Sequence, residues 1–182
     1  MTKMPMLALA ALVAVLAIPA AGRVPAPGTF RRIRIRVLNA KNGKPITNEC
    51  LNISIGSVAS KEGLLAGTDK RGVVVLEWGQ SEVIAERPCR GYAASRTERR
   101  PGVGTLTITG DYYVACQEYA PPPRHDTSVR SFAAAFPAYP VARILKSGVV
   151  SSNTCGKASA KPRPGELIFF ERPRTFWEKL TE

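Results

Sequence analysis

The sequence predicts a mainly β protein, an antiparallel β-sandwich of about seven strands with one to three short helices in its C-terminal part. Three observations predict it. Apolar residues alternate with polar ones over several short runs, the pattern of half-buried strands. Turn-forming clusters separate these runs at intervals of about ten residues. Gly and Pro number 15 each, which favours many short elements over long helices. No helical pattern separates the first four strands, so a parallel α/β sheet is not expected.

The elements follow in order. Residues 1–22 read as a secretory signal peptide: Lys3 gives a positive start, residues 7–18 are apolar, Pro19 breaks the run, and Ala20-Ala21-Gly22 offers a cleavage site before Arg23. The alternative is an uncleaved anchor, but the run falls short of the ~20 apolar residues a bilayer requires. Residues 23–29 form a Pro-rich linker, and residues 30–182 a single sandwich domain. In residues 30–38, Ile33, Ile35 and Val37 alternate with Arg32, Arg34 and Arg36, giving a strand with a basic outer face. Asn42-Gly43-Lys44-Pro45 is a turn. Residues 50–56 alternate again, with Leu51, Ile53 and Ile55 facing inward. A second turn, Thr68-Asp69-Lys70-Arg71-Gly72, leads to an apolar interior strand at 73–78 and a shorter one at 81–86. Residues 87–104 read as a basic loop. Residues 105–109 and 112–116 read as a hairpin about Gly110-Asp111.

The character then changes. A Pro-rich loop spans 119–140, with a short helix at 127–136. Pro140 opens another helix, with Val141, Ile144 and Leu145 on one face and Gly148 as its cap. Residues 165–170 form a late strand. Thr175-Phe176-Trp177-Glu178 is a capping box that starts a terminal helix, with Phe176 and Trp177 pinning it to the sandwich.

Cys50, Cys89, Cys116 and Cys155 all follow the signal segment, and none forms a Cys-x-x-Cys pair. Two disulfides in an oxidising compartment are the expectation, so the chain is expected to be periplasmic or extracellular. Of three possible pairings, Cys89–Cys116 with Cys50–Cys155 is favoured, because the first would close a compact hairpin region.

The stretch from Ile33 to Trp78 resembles the carboxypeptidase-regulatory-like, transthyretin-like domains: strand, Asn42-Gly43-Lys44-Pro45, alternating strand, Thr68-Asp69-x-x-Gly72, Val-rich strand. The resemblance covers roughly residues 30–80 and implies a prealbumin-type sandwich and export. Such domains serve as structural appendages or as modules contacting carbohydrate or protein. Two enzymatic branches share the architecture, and the chain departs from both. Intradiol dioxygenases need two Tyr and two His around iron, whereas His125 is alone here. Hydroxyisourate hydrolases use several His and a Tyr-Arg-Gly-Ser end, whereas this chain reads Lys179-Leu180-Thr181-Glu182 there. Asn153-Thr154-Cys155-Gly156 and Phe169-Phe170-Glu171-Arg172-Pro173 lie outside the match and are too particular for filler.

Chemistry is sparse. One histidine rules out multi-histidine metal sites, and no calcium-loop spacing appears. No Gly-x-Ser-x-Gly elbow supports a nucleophile near His125. Asp69 reads as a turn former rather than a ligand. No catalytic residue, cofactor or metal is expected. The unusual property is charge: 26 basic against 14 acidic residues, net +12. Arg32, Arg34 and Arg36 form one group, Arg96, Arg99 and Arg100 a second, Lys157, Lys161 and Arg163 a third, and Arg172 and Arg174 flank Pro173. Such groups suit an anionic partner: an envelope polysaccharide, lipid head groups or an acidic protein. They equally suit a solvated face that blocks edge pairing of the first strand. Nucleic acid is not expected, and membrane contact only through an uncleaved signal segment. Tyr112, Tyr113, Tyr119, Phe132, Phe136 and Tyr139 could form a carbohydrate platform or pack the core. The expectation is an exported non-enzymatic binding or structural module of the cell envelope. A small secreted hydrolase using His125 and a subunit of a larger envelope assembly are the alternatives.

Overall fold

A computed structural model of the protein describes residues 30–56, 63–92, 95–118 and 136–180. The signal segment, the linker, His125, Tyr119, Phe132 and nearly all of the helix expected at 127–136 lie outside the described residues.

The chain forms two packed β-sheets with short helices near its C-terminal end. The strands are β1 (Arg31–Asn39), β2 (Cys50–Ile55), β3 (Gly63–Gly67), β4 (Val73–Trp78), β5 (Glu82–Ala85), β6 (Arg96–Glu98), β7 (Thr105–Gly110), β8 (Tyr113–Ala115), β9 (Tyr139–Pro140), β10 (Val149–Val150) and β11 (Glu166–Pro173). The helices are α1 (Val141–Ser147) and α2 (Phe176–Leu180). The larger sheet runs β10-β11-β1-β4-β5-β6, with β8 also on β11; the smaller runs β3-β2-β7-β9.

Alternation in the sequence becomes alternation in burial. Ile33, Ile35 and Val37 of β1 meet Leu51, Ile53 and Ile55 of β2 and Leu106 and Ile108 of β7 in one core. A fully buried side chain of this size contributes about 1.5–3 kcal/mol. β4, expected as an interior strand, lies between β1 and β5. The two Gly-centred turns form, with Gly43 at φ 69° and Gly72 at φ 70°. Asp69 is the turn former the sequence suggests: its Oδ1 accepts from the N–H of Arg71 and of Val73, both at 2.8 Å. Partial burial works against its charge, but these bonds outweigh it and hold the carboxyl below its ordinary pKa.

The C-terminal part departs from the sequence reading, and β11 is the reason. It is a central strand running parallel to β1, with Ile35 opposite Leu167 and Val37 opposite Phe169. The larger sheet is therefore mixed. β11 alternates between two apolar layers. Leu167 and Phe169 enter the main core. Ile168 and Phe170 enter a second, smaller core with Leu38, Ala40 and Cys116, covered by Cys155, Ala158 and Ala160. Residues 151–164 thus lie across the outer face of the larger sheet.

The hairpin expected at 105–116 does not form. β7 belongs to the smaller sheet, paired with β2 and β9, whereas β8 pairs with β11 in the larger one. The chain crosses between sheets at Gly110–Tyr113 and carries Cys116 to the flank of β11. The disulfides are accordingly Cys50–Cys89 and Cys116–Cys155, each with Cα atoms 5.4 Å apart, and not the pairing the hairpin suggested. Two disulfides fit an oxidising, extracytoplasmic environment. Among the described residues no helix is long and apolar enough to cross a membrane.

The motif Asn153-Thr154-Cys155-Gly156 closes the second core. The Asn153 side-chain amide donates to the carbonyls of Ala40 and Ala158, both at 2.9 Å. Gly156 lies so close to the Ala40 backbone that a Cβ would collide with its carbonyl oxygen. α1 forms as expected, preceded by Pro140 and ended by Gly148, whose N–H bonds Ile144. The capping box forms too: Thr175 N–H donates to Glu178 at 2.7 Å and Glu178 N–H to Thr175 Oγ1 at 3.4 Å. However, Phe176 and Trp177 are 68% and 74% exposed and stack edge to face on each other, so they do not pin α2 to the sandwich. The bidentate pair of Arg172 with Glu178, at 2.8 and 2.6 Å, helps hold it instead.

Candidate anion-binding groove

Most of the arginines singled out in the sequence are committed to the fold. Arg99 donates to the carbonyls of Gly79, Gln80 and Val103 at 3.0, 2.6 and 2.6 Å and lies 5.3 Å over the Trp78 ring. Arg96 pairs with Glu82 at 3.3 Å. Arg174 donates to the Asp111 carbonyl at 2.6 Å. Arg32 reaches Glu86 at 3.0 Å and Glu77 at 3.7 Å. Of the three arginines of β1, Arg34 and Arg36 line one cleft and Arg32 does not. None of them guards an edge, because β1 lies between β11 and β4.

What remains converges on one place. The antiparallel register sets Arg34 opposite Val75 and Arg36 opposite Val73, so two half-buried valines floor the outer face beside the arginines. On the other side, Glu166 stands opposite Arg34. Residues 151–164 cross the sheet and bring Ala160, Lys161 and Arg163 along this face. The β3–β4 turn adds Arg71, and Pro45 closes the end. The result is a cleft of about 550 Å³ lined by five cations and one acid.

The cations differ in how they are held. Arg36 is paired with Glu166 at 3.2 Å and donates to the Lys161 carbonyl at 3.4 Å. Arg71 leans on Asp69 at 3.4 Å but is largely exposed. Among the described residues no carboxylate lies within ion-pair distance of Arg34, Lys161 or Arg163. Exposed pairs contribute only about 0–1 kcal/mol, so Arg71 is released at little cost. Guanidinium groups offer fork-shaped donors that match carboxylate, sulfate or phosphate bidentately. The groove can therefore take an anionic group, and its valine floor can take an apolar or sugar face alongside.

Sequence reasoning brought Arg34, Arg36, Lys161 and Arg163 forward, but as two separate groups. It missed Arg71, masked by its turn. An antiparallel β1–β4 pairing places that turn beside the end of β1, so the pairing was the signal that would have found it. Lys157 does not line the groove. Of the aromatic residues, Tyr139 is buried and its hydroxyl donates to Gln117 at 2.6 Å, while Tyr112 is exposed; Tyr119 and Phe132 lie outside the described residues. All four cysteines are disulfide-bonded. Among the described residues no group of three or more His, Cys, Asp or Glu could hold a metal ion. No protein-family model matches the chain, and comparisons with curated proteins and with solved structures find no match either.

Proposed function

We propose that the protein is an exported, non-enzymatic β-sandwich that binds an anionic polysaccharide or protein of the cell envelope through this groove. The observation that carries the reading is the meeting of Arg34, Lys161 and Arg163, none within ion-pair distance of a carboxylate among the described residues, over the floor of Val73 and Val75. Export rests on the signal-like residues 1–22 and on the two disulfides. The likeness of residues 30–80 to carboxypeptidase-regulatory-like domains agrees with a contact module rather than an enzyme.

The test is retention of the purified protein on envelope fractions at low and high salt. Screening shortens from about 10 Å at 0.1 M to about 3 Å at 1 M, so charge-driven retention falls steeply. The variant R34Q/K161Q/R163Q loses retention at low salt, while R32Q, outside the groove, keeps it. Equal retention by both variants would sink the reading.

A further inference from the structure

Two acids are buried where the sheets meet, and neither belongs to the groove. Glu171 is 0% exposed and Glu49 1%. Glu171 continues the inward series Leu167, Phe169 along β11, so a carboxyl occupies the next core position. Glu49 immediately precedes β2 of the other sheet. They meet at Gly110, where the chain changes sheets. A Cβ on Gly110 would collide with Glu171 Oε1 and lie 3.1 Å from Glu49 Oε1. The Tyr113 carbonyl, 2.8 Å from the same position, leaves no room for a side chain there, so the glycine lets both carboxyls approach the crossover.

Their hydrogen bonding is one-sided. Glu49 Oε1 accepts from the N–H groups of Asp111, Tyr112 and Tyr113 at 2.8, 3.0 and 3.3 Å. Glu49 Oε2 and both oxygens of Glu171 are buried without a donor. The crossover supplies Asp111, another acid, and the phenols of Tyr112 and Tyr113. β1 supplies Asn39 opposite Glu171, and β8 supplies Ala115. The β2–β3 end supplies Thr68, whose Oγ1 accepts the Glu49 N–H at 2.9 Å. Arg87 and Arg90 line the outer cleft with Glu49, and Arg87 donates to the Thr68 carbonyl at 3.3 Å. Arg172 is held by Glu178 and Arg174 bonds the Asp111 carbonyl. Among the described residues no cation pairs with either acid.

Two carboxylates buried close together without a cation disfavour each other's ionisation, most strongly at Glu171, which has no donor, and protonating one removes most of that penalty. We propose that Glu49 and Glu171 hold one proton between them and act as a latch between the two sheets, closed in acid and loosened as pH rises. The electrostatics agree. Burial raises the Glu171 pKa well above 4.5, and the Glu49 charge raises it further. Burial also raises Glu49, against the pull of its three N–H donors. Because both folded values are raised, the contribution is fully present below the ordinary carboxyl range. It is lost as pH climbs through the raised values.

The experiment is thermal unfolding of the full chain from pH 5 to pH 8, wild type beside Glu171→Gln. The variant keeps the shape and does not titrate. The wild-type Tm falls relative to the variant by roughly 5 °C across this window. Amide-exchange protection at Asp111, Tyr112 and Tyr113 falls with it in the wild type only. A Tm difference independent of pH, or one of opposite sign, overturns the proposal. Should the variant fail to fold, the infrared band of a protonated carboxylic acid in the wild type near neutral pH decides: its presence supports the latch, its absence refutes it. A wild-type Tm raised by calcium at neutral pH and restored by chelation would mean that the carboxyls hold a cation instead, and that also overturns it.

Discussion

The two faces of β11 are buried in different ways. Phe169 enters a core built from both sheets, where most side chains come from strands already fixed by pairing. Phe170 enters a layer closed on its far side by residues 151–164, which carry no regular structure. Hydrophobic area alone does not order such a segment, because each residue fixed costs about 1–2 kcal/mol of backbone entropy. The Cys116–Cys155 bridge, the Asn153 bonds and the close approach of Gly156 offset that cost. The difference teaches what the second layer is for. Besides covering Ile168 and Phe170, it places Lys161 and Arg163 beside Arg34.

The largest effect should separate the layers themselves. Phe169→Ala costs about 3–5 kcal/mol in urea unfolding. Phe170→Ala costs less, because its lid can settle into the space. Equal costs would mean that the second layer is as much part of the fold as the first. Next, each disulfide closes a loop of sequence separation 39, so removing either costs about 4 kcal/mol on the chain-entropy account. The two should differ in consequence. C116S/C155S exposes residues 151–164 to proteolysis and lowers retention on envelope fractions. C50S/C89S leaves that segment protected and the groove intact. Asn153→Ala follows, at about 1–3 kcal/mol, since it removes two part-buried hydrogen bonds and leaves the Ala40 carbonyl with the Ala158 N–H alone. It should also speed amide exchange at Thr154 and Ala158. Smallest is R34Q/K161Q/R163Q, whose stability stays within about 0.5 kcal/mol of the wild type. A larger loss would make these cations structural, as Arg99 is.

The same contrast explains what could be read in the sequence. β1 and β2 were legible because each buries one face, and period-two alternation reports that directly; β4 was legible as a continuous apolar run between turns. The Asp69 turn and the Thr175 capping box were legible because their bonds are local. β3 was not, since Gly63–Gly67 carries only two leucines between small residues. The role of β11 was hidden for the opposite reason: Leu167, Ile168, Phe169 and Phe170 are buried on both faces and show no alternation. Its parallel pairing with β1 joins residues far apart in the chain, and that pairing decides the disulfides and the groove. The crossover at Gly110 was read as a hairpin turn because a Gly-Asp turn and a change of sheet look alike over five residues. Four of the groove's five cations were therefore visible as charge, but their meeting was not.

One measurement tests most directly the proposal that the segment held by Cys116–Cys155 builds a binding groove. It is retention on envelope fractions at low salt for the wild type, C116S/C155S and C50S/C89S, each first shown to be folded. Retention lost with Cys116–Cys155 and kept with Cys50–Cys89 is the predicted result. Retention kept in both variants, or lost in both, would contradict it.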